Sequence, residues 1–153
     1  MTTETRLFGK IDISEDRIIT FTTGMMGFED YKKYTLISDA ENENGSIMWL
    51  QSLEEPELAF PVIDPVKIMP EYSPSVSDEL LEPLGEADDE DFYILSVITV
   101  PSDLTKMTAN LKAPVIINLK SMKGCQVIVN NDEYKVRYNV YDYVQKMKEG
   151  ESN

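Results

Sequence analysis

Two short apolar runs, Ile47–Leu50 and Leu58–Ile63, flank a polar knuckle, Glu54-Glu55-Pro56-Glu57. Runs this short, bounded by turn residues, read as buried strands, and the knuckle joins them as a hairpin. The first run holds the only tryptophan, so Trp49, Leu50, Leu53, Phe60, Val62 and Ile63 are the expected first core residues. Pro61 has no N–H for a ladder, which predicts an edge or a bulge at that point of the second strand. Asp64-Pro65 ends the strand, because proline restricts the residue before it and lacks a donor.

A single hairpin cannot bury its own faces, and the chain supplies further strands. Leu7, Gly9, Ile11 and Ile13 alternate along a first strand, and Glu15-Asp16 turns it into a second over Arg17–Thr22, the two forming a hairpin. Tyr34–Ser38 is a third strand, followed by an Asn44-Gly45 hairpin turn. Past the central hairpin, Lys67–Tyr72 reads as extended. Ser77 then caps a short helical turn with Leu80, Leu81 and Leu84 to one side, and Pro83 keeps it short. Phe92–Val100 is the strongest strand, β-branched and aromatic throughout. Val115–Leu119 turns at Lys123-Gly124 into Cys125–Val129, and Asn130-Asn131-Asp132 turns into Tyr134–Val136. Asn139 with Asp142 resembles a capping box, and Val140, Val144 and Met147 make a helical stripe that stops at Gly150. Eight or nine strands with two short helices predict an all-β chain, a small antiparallel β-barrel-like fold. It forms one domain, 1–153, frayed at 150–153.

Charge narrows function. The chain carries 28 Asp and Glu against 14 Lys and Arg, a net charge of −14. With no basic surplus to release counterions, direct nucleic-acid binding is not expected; the charge points to a basic partner or simply to solubility. The Gly24-Met25-Met26-Gly27 loop could clamp a phosphate backbone, but its acidic flank makes it a plain loop with unusual backbone angles. There is no histidine, and the single cysteine, Cys125, excludes an internal disulfide. Cys125 is expected to be a buried, inert thiol, and Tyr138, Tyr141 and Tyr143 to pack the last helix. No phosphate-loop, nucleophile-elbow or calcium-loop pattern occurs, so neither metal nor cofactor is expected. Neither a secretory leader nor a membrane-length apolar run is present, and a cytoplasmic location is expected.

The acids are unevenly placed. Residues 68–105 hold ten Asp and Glu and no Lys or Arg, peaking at Asp88-Asp89-Glu90-Asp91, whereas residues 106–153 hold eight cations against five acids. The tract is either a solvated loop or a display surface for a basic partner.

Four stretches carry a resemblance: Gly24-Met25-Met26-Gly27-Phe28-Glu29, Leu50-Gln51-Ser52, Leu58-Ala59-Phe60-Pro61-Val62-Ile63-Asp64-Pro65, and Thr108-Ala109-Asn110-Leu111-Lys112-Ala113-Pro114 continuing through Asn118. Any one is weak. Together, in this order and over roughly residues 5–138, the chain resembles the FliW flagellar assembly factor family. It departs at Met26, where members often have proline before the second glycine. The resemblance implies a small non-catalytic β-barrel protein that binds CsrA, a dimeric RNA-binding translational repressor, and also flagellin, the two competing for it in the cytoplasm. It names no contact residues. From the chain's own chemistry the expected partner-binding residues are Asp64, Pro65, Glu71, Tyr72, Asp88, Asp89, Glu90, Asp91 and Asn110, on a protein that is a monomer when free. Two other readings stay open: a carboxylate-dependent hydrolase, if two acids of the tract face each other across an apolar cleft, and an acidic adaptor of unknown partner.

Overall fold

The computed structural model describes residues 2–38 and 47–151, with side chains placed as far as Lys146. The central hairpin forms as β5 (Ile47–Ser52) and β6 (Ala59–Ile63), with Leu50 opposite Phe60 and Met48 opposite Val62. Strand β4 (Lys33–Ser38) pairs with β5 through Leu36 and Leu50. Beyond these, β3 (Ile19–Phe21), β7 (Phe92–Thr99), β9 (Val115–Asn118) and β10 (Lys123–Gln126) complete a ring in the order β7-β6-β5-β4-β3-β10-β9, closed by β7 against β9. Closure removes the exposed edges that an open sheet would present.

Alternate residues of the strands fill the ring. Ile19, Phe21, Tyr34, Leu50, Val62, Leu95, Val115 and Ile117 form its core, and each buried aliphatic of this size contributes about 1.5–3 kcal/mol. One contact is parallel: Lys123 and Gly124 of β10 lie beside Thr20 and Phe21 of β3. A Cβ at Gly124 would come within 2.8 Å of the Phe21 ring, so glycine there lets that ring fill the core.

The other wall faces are covered from outside. Helix α2 (Asp78–Leu81) and the 3₁₀ turn Glu82–Leu84 lay Leu84 on Ile116, Cys125 and Val127. Tyr72 and Tyr134 pack on Leu111 and Val129. Val140, just before helix α3 (Tyr141–Glu151), and Val144 within it pack against Ile63, Ile98 and Met107, with Tyr138 and Tyr143 beside them. Strand β8 (Thr108–Ala109) pairs with β7 and with β11 (Tyr138–Asn139).

Several expected boundaries differ. Residues 7–13 do not form one strand paired with 17–22. The Thr5 hydroxyl donates to Gly9 O at 2.9 Å and accepts from Phe8 N at 2.9 Å, closing a turn, so β1 (Thr2–Thr5) pairs with β2 (Gly9–Asp12) instead. Lys67–Tyr72 is not one extended run. Asp64 Oδ1 accepts from Val66 N at 3.0 Å, and Pro65 starts α1 (Pro65–Ile68), because a capping acid before proline opens a helix. Lys123-Gly124 is part of β10, not a turn, and no strand forms over Tyr134–Val136. Leu80 is exposed while Leu84 is fully buried. Helix α3 runs through Gly150. Trp49 is half-buried rather than core, lying between Ile37 and Pro61 while its neighbours Met48 and Leu50 face inward. Pro61 sits where the ladder from β6 to β7, which holds only Val62 and Ile63, stops. The Asn44-Gly45 turn and the Met147 side chain lie outside the described residues.

Candidate partner-binding site

The acidic tract is a cover fastened to the barrel wall. Its anchor is Asn118, a fully buried polar residue at the end of β9. Asn118 Nδ2 donates to Leu84 O at 2.9 Å, and its Oδ1 accepts from Lys120 N at 2.9 Å and Ser121 N at 3.2 Å. Ser121 Oγ adds a second donor to Leu84 O at 2.6 Å. Beneath, Leu84 is sealed on Ile116 and Cys125. The segment then turns at Gly85, φ +87°. Asp88 N donates to Asp91 Oδ2 at 3.1 Å, which rounds off the 3₁₀ turn Asp89–Asp91, and Leu119 N donates to Asp91 O at 2.8 Å. Packing inward through leucines leaves the carboxylates outward. Asp78, Glu79, Glu82, Glu86, Asp88 and Asp89 line a groove of about 750 Å³ in which, among the described residues, Lys120 is the one cation.

The expected binding residues do not play one part. Asp88, Asp89, Glu90 and Glu71 are exposed. Asp91 is half-buried and closes its own turn. Asp64 is half-buried and close enough to Tyr93 for its charge, after burial itself, to raise that phenol's pKa. Tyr93 lies two residues past Asp91, so Asp64 and the tract share one half of β7. Pro65 and Tyr72 are buried. The Tyr72 hydroxyl donates to Leu111 O at 2.7 Å, and burial, with the Tyr134 ring 4.6 Å away, pushes its pKa up. Both therefore support the fold beneath the surface.

Asn110 belongs to a different region. Strands β8 and β9 run along the same side of β7, and residues 110–114 bulge out opposite Ser96 and Val97. Asn110 Oδ1 holds the bulge by accepting from Lys112 N at 3.1 Å and Ala113 N at 2.9 Å. Gln126 ties it to the glycine loop, accepting from Met26 N at 3.0 Å and donating to Ala113 O at 3.0 Å. Asn118 and Gln126 were not among the expected site residues. The signal for Asn118 was a polar side chain closing an otherwise apolar strand.

A hydrolase needs a carboxyl held in an enclosed, apolar place so that it can act as the acid. Here the groove acids are solvent-exposed and the groove is open. Cys125 is buried, and burial pushes its thiol up to about 11, the opposite of nucleophile activation. Among the described residues no group of three or more Cys, Asp or Glu is arranged to hold a metal ion, and no helix is long and apolar enough to cross a membrane.

A filled, closed barrel with charge segregated on its outside defines a small β-barrel domain whose distinctive features are surfaces. A family model described as FliW protein matches residues 2–140, and the chain belongs to that family. It is 52% identical over 148 residues to the flagellar assembly factor FliW of Lachnospira eligens, covering 95% of this chain and 98% of that protein. It is 48% identical to the same-named protein of Lachnoclostridium phytofermentans, covering 99% of each. A solved structure described as the crystal structure of the flagellar assembly factor FliW superposes with a TM-score of 0.82 at 31% identity, covering 92% of this chain and 96% of that one.

Proposed function

We propose that this chain is a flagellar assembly factor that works by binding, antagonising the RNA-binding repressor CsrA and binding flagellin in the cytoplasm. The observation that carries this reading is the acidic cover: Asp78, Glu79, Glu82, Glu86, Asp88, Asp89 and Glu90, all exposed, lie with no cation among them on a segment that Asn118 anchors. A negative face of this kind draws in a basic RNA-binding protein and, once docked, repels the phosphates that protein would hold. Family membership and the names of the relatives point the same way. No step of the reading requires catalysis, a cofactor or a metal.

The test is co-purification with CsrA and with flagellin, separately and together, followed by association rates against salt for Asp88→Asn, Asp89→Asn and Glu90→Gln combined. Asp91 is spared because it closes its turn. The expected outcome is slower CsrA association with a shallower salt dependence, since such charges act on encounter more than on dissociation. The melting temperature should be equal or higher, because exposed charges contribute little to stability. An unchanged rate at low salt would show the tract to be only a solvated cover.

A further inference from the structure

On the Asn110 side of the molecule a second surface has the opposite character. The glycine loop, the start of β6, the far end of β7 and residues 136–137 enclose a cleft of about 260 Å³. Met25, Met26, Phe60, Val97 and Val136 form its apolar part, and Thr99, Asn110, Gln126 and Arg137 its polar part. Met26 is 45% exposed and Val136 57% exposed, so the apolar lining opens to water. Phe28, 40% exposed, stacks edge-on against Phe60 at 5.3 Å and itself lines a separate hollow with Tyr31, Glu55 and Glu57. The loop is not free to fold away, because Gln126 pins Met26 N to the bulge.

Of the polar groups lining the cleft, Thr99 offers a hydroxyl that can donate or accept, and the rest are one-sided. The Asn110 acceptor and both ends of Gln126 are consumed internally. Among the described residues the Asn110 amide nitrogen and the exposed Arg137 guanidinium have no partner, and both are donors. Lys135, also exposed, lies two residues away, in the one third of the chain where cations outnumber acids. The volume is below the roughly 300–1,000 Å³ of small-molecule sites, and suits one inserted side chain.

We propose that this cleft is a peptide-docking site that takes an aliphatic side chain beside a carboxylate, the side chain seated between Met26, Phe60 and Val136 and the carboxylate met by Arg137 and the Asn110 amide. It rests on the reading of the chain as a partner-binding protein and divides that surface in two: a basic partner meets the acidic cover, and an acidic, apolar segment meets the cleft.

The test uses neither proposed partner. The probe is the blocked peptide acetyl-Gly-Ser-Ala-Leu-Glu-Ala-Ser-Gly-amide, titrated into the full chain and followed by amide chemical shifts. Saturable shifts are expected at Met26, Asn110 and Val136 and not at Asp88–Asp91. Replacing the peptide's leucine by alanine or its glutamate by lysine should weaken binding about tenfold each, as loss of an apolar anchor or a charged hydrogen bond does. Arg137→Glu should do the same and restore affinity for the lysine peptide; as an exposed residue it should leave the melting temperature unchanged. Shifts confined to the acidic cover, no saturable shifts, or equal binding of the glutamate and lysine peptides would overturn the proposal and leave CsrA binding unaffected.

Discussion

At Gly24 and Gly27 one loop asks two different things of glycine. Both have positive φ, +70° and +87°. A Cβ at Gly24 would lie 2.6 Å from the Glu29 backbone, where nothing can yield cheaply, whereas one at Gly27 would meet nothing within 4 Å. Gly27→Ala should therefore cost only the left-handed backbone penalty, about 1–2 kcal/mol. Gly24→Ala should cost distinctly more, since the clash adds to that penalty and forces the loop open. Urea melts of the two variants check the order; equal losses would mean that the close approach at Glu29 relaxes freely. Burial tells a related story at Trp49 and Gln51. An apolar run reads as core at every position, but a strand turns alternate residues to opposite faces. Trp49 thus sits half-exposed beside Pro61, while Gln51 is fully buried, its amide nitrogen shared among the Ser52, Pro56 and Leu58 carbonyls and its Oε1 without a partner among the described residues.

Among elements, those whose pattern and partners are local were readable from the sequence. β4, β5, β6 and β7 lie within a residue or two of their expected bounds because each is a β-branched or aromatic run between turn residues. What escaped depends on distant partners or on side chains. β1, Thr-Thr-Glu-Thr, has no apolar alternation and exists because Thr5 closes its turn. Lys123-Gly124 has turn chemistry yet is a strand, because the turn falls earlier, with Met122 at φ +56°, and Lys123-Gly124 is paired on both sides, by β9 and by β3 about a hundred residues earlier. The acidic tract was visible as composition, but its attachment through Asn118 was not, since that bond spans 34 residues. Asn118→Ala would leave Leu84 O with the Ser121 hydroxyl alone and take the acceptor from two backbone donors. A loss of about 2–3 kcal/mol is expected for a buried hub of this kind. Hydrogen exchange should also rise at Lys120 and Ser121 and across 78–91, ahead of global unfolding; a uniform rise over the whole barrel would mean that cover and wall open together.

For the molecule as a whole, net charge −14 without histidine makes the middle of the pH scale uneventful and the alkaline side decisive. Burial raises Cys125 from 9.0 to about 11 and, with the Glu54 charge assisting, Tyr34 from 10.0 to about 12. Tyr72 and Tyr93 move the same way, also chiefly by burial. In each case the folded state holds its proton more tightly than the unfolded chain does. The unfolded chain therefore loses protons first as pH rises, and stability linked to these groups falls. That stability is fully present below the unfolded value, 9.0 for the thiol and 10.0 for the phenols. It is lost as pH climbs through about 11 for Cys125 and about 12 for Tyr34. Self-repulsion among the acids works in the same direction once lysines begin to lose their charge. The melting temperature should thus be flat from about pH 6 to 8.5 and drop steeply beyond, and the part of the phenolate absorbance that Tyr34→Phe and Tyr72→Phe remove should appear together with unfolding and not before it. Cys125→Ala should delay the onset of that drop, since it removes the first of these groups to titrate in the unfolded chain. If that part rose while the fold persisted, Tyr34 and Tyr72 would be reached by solvent without opening the barrel.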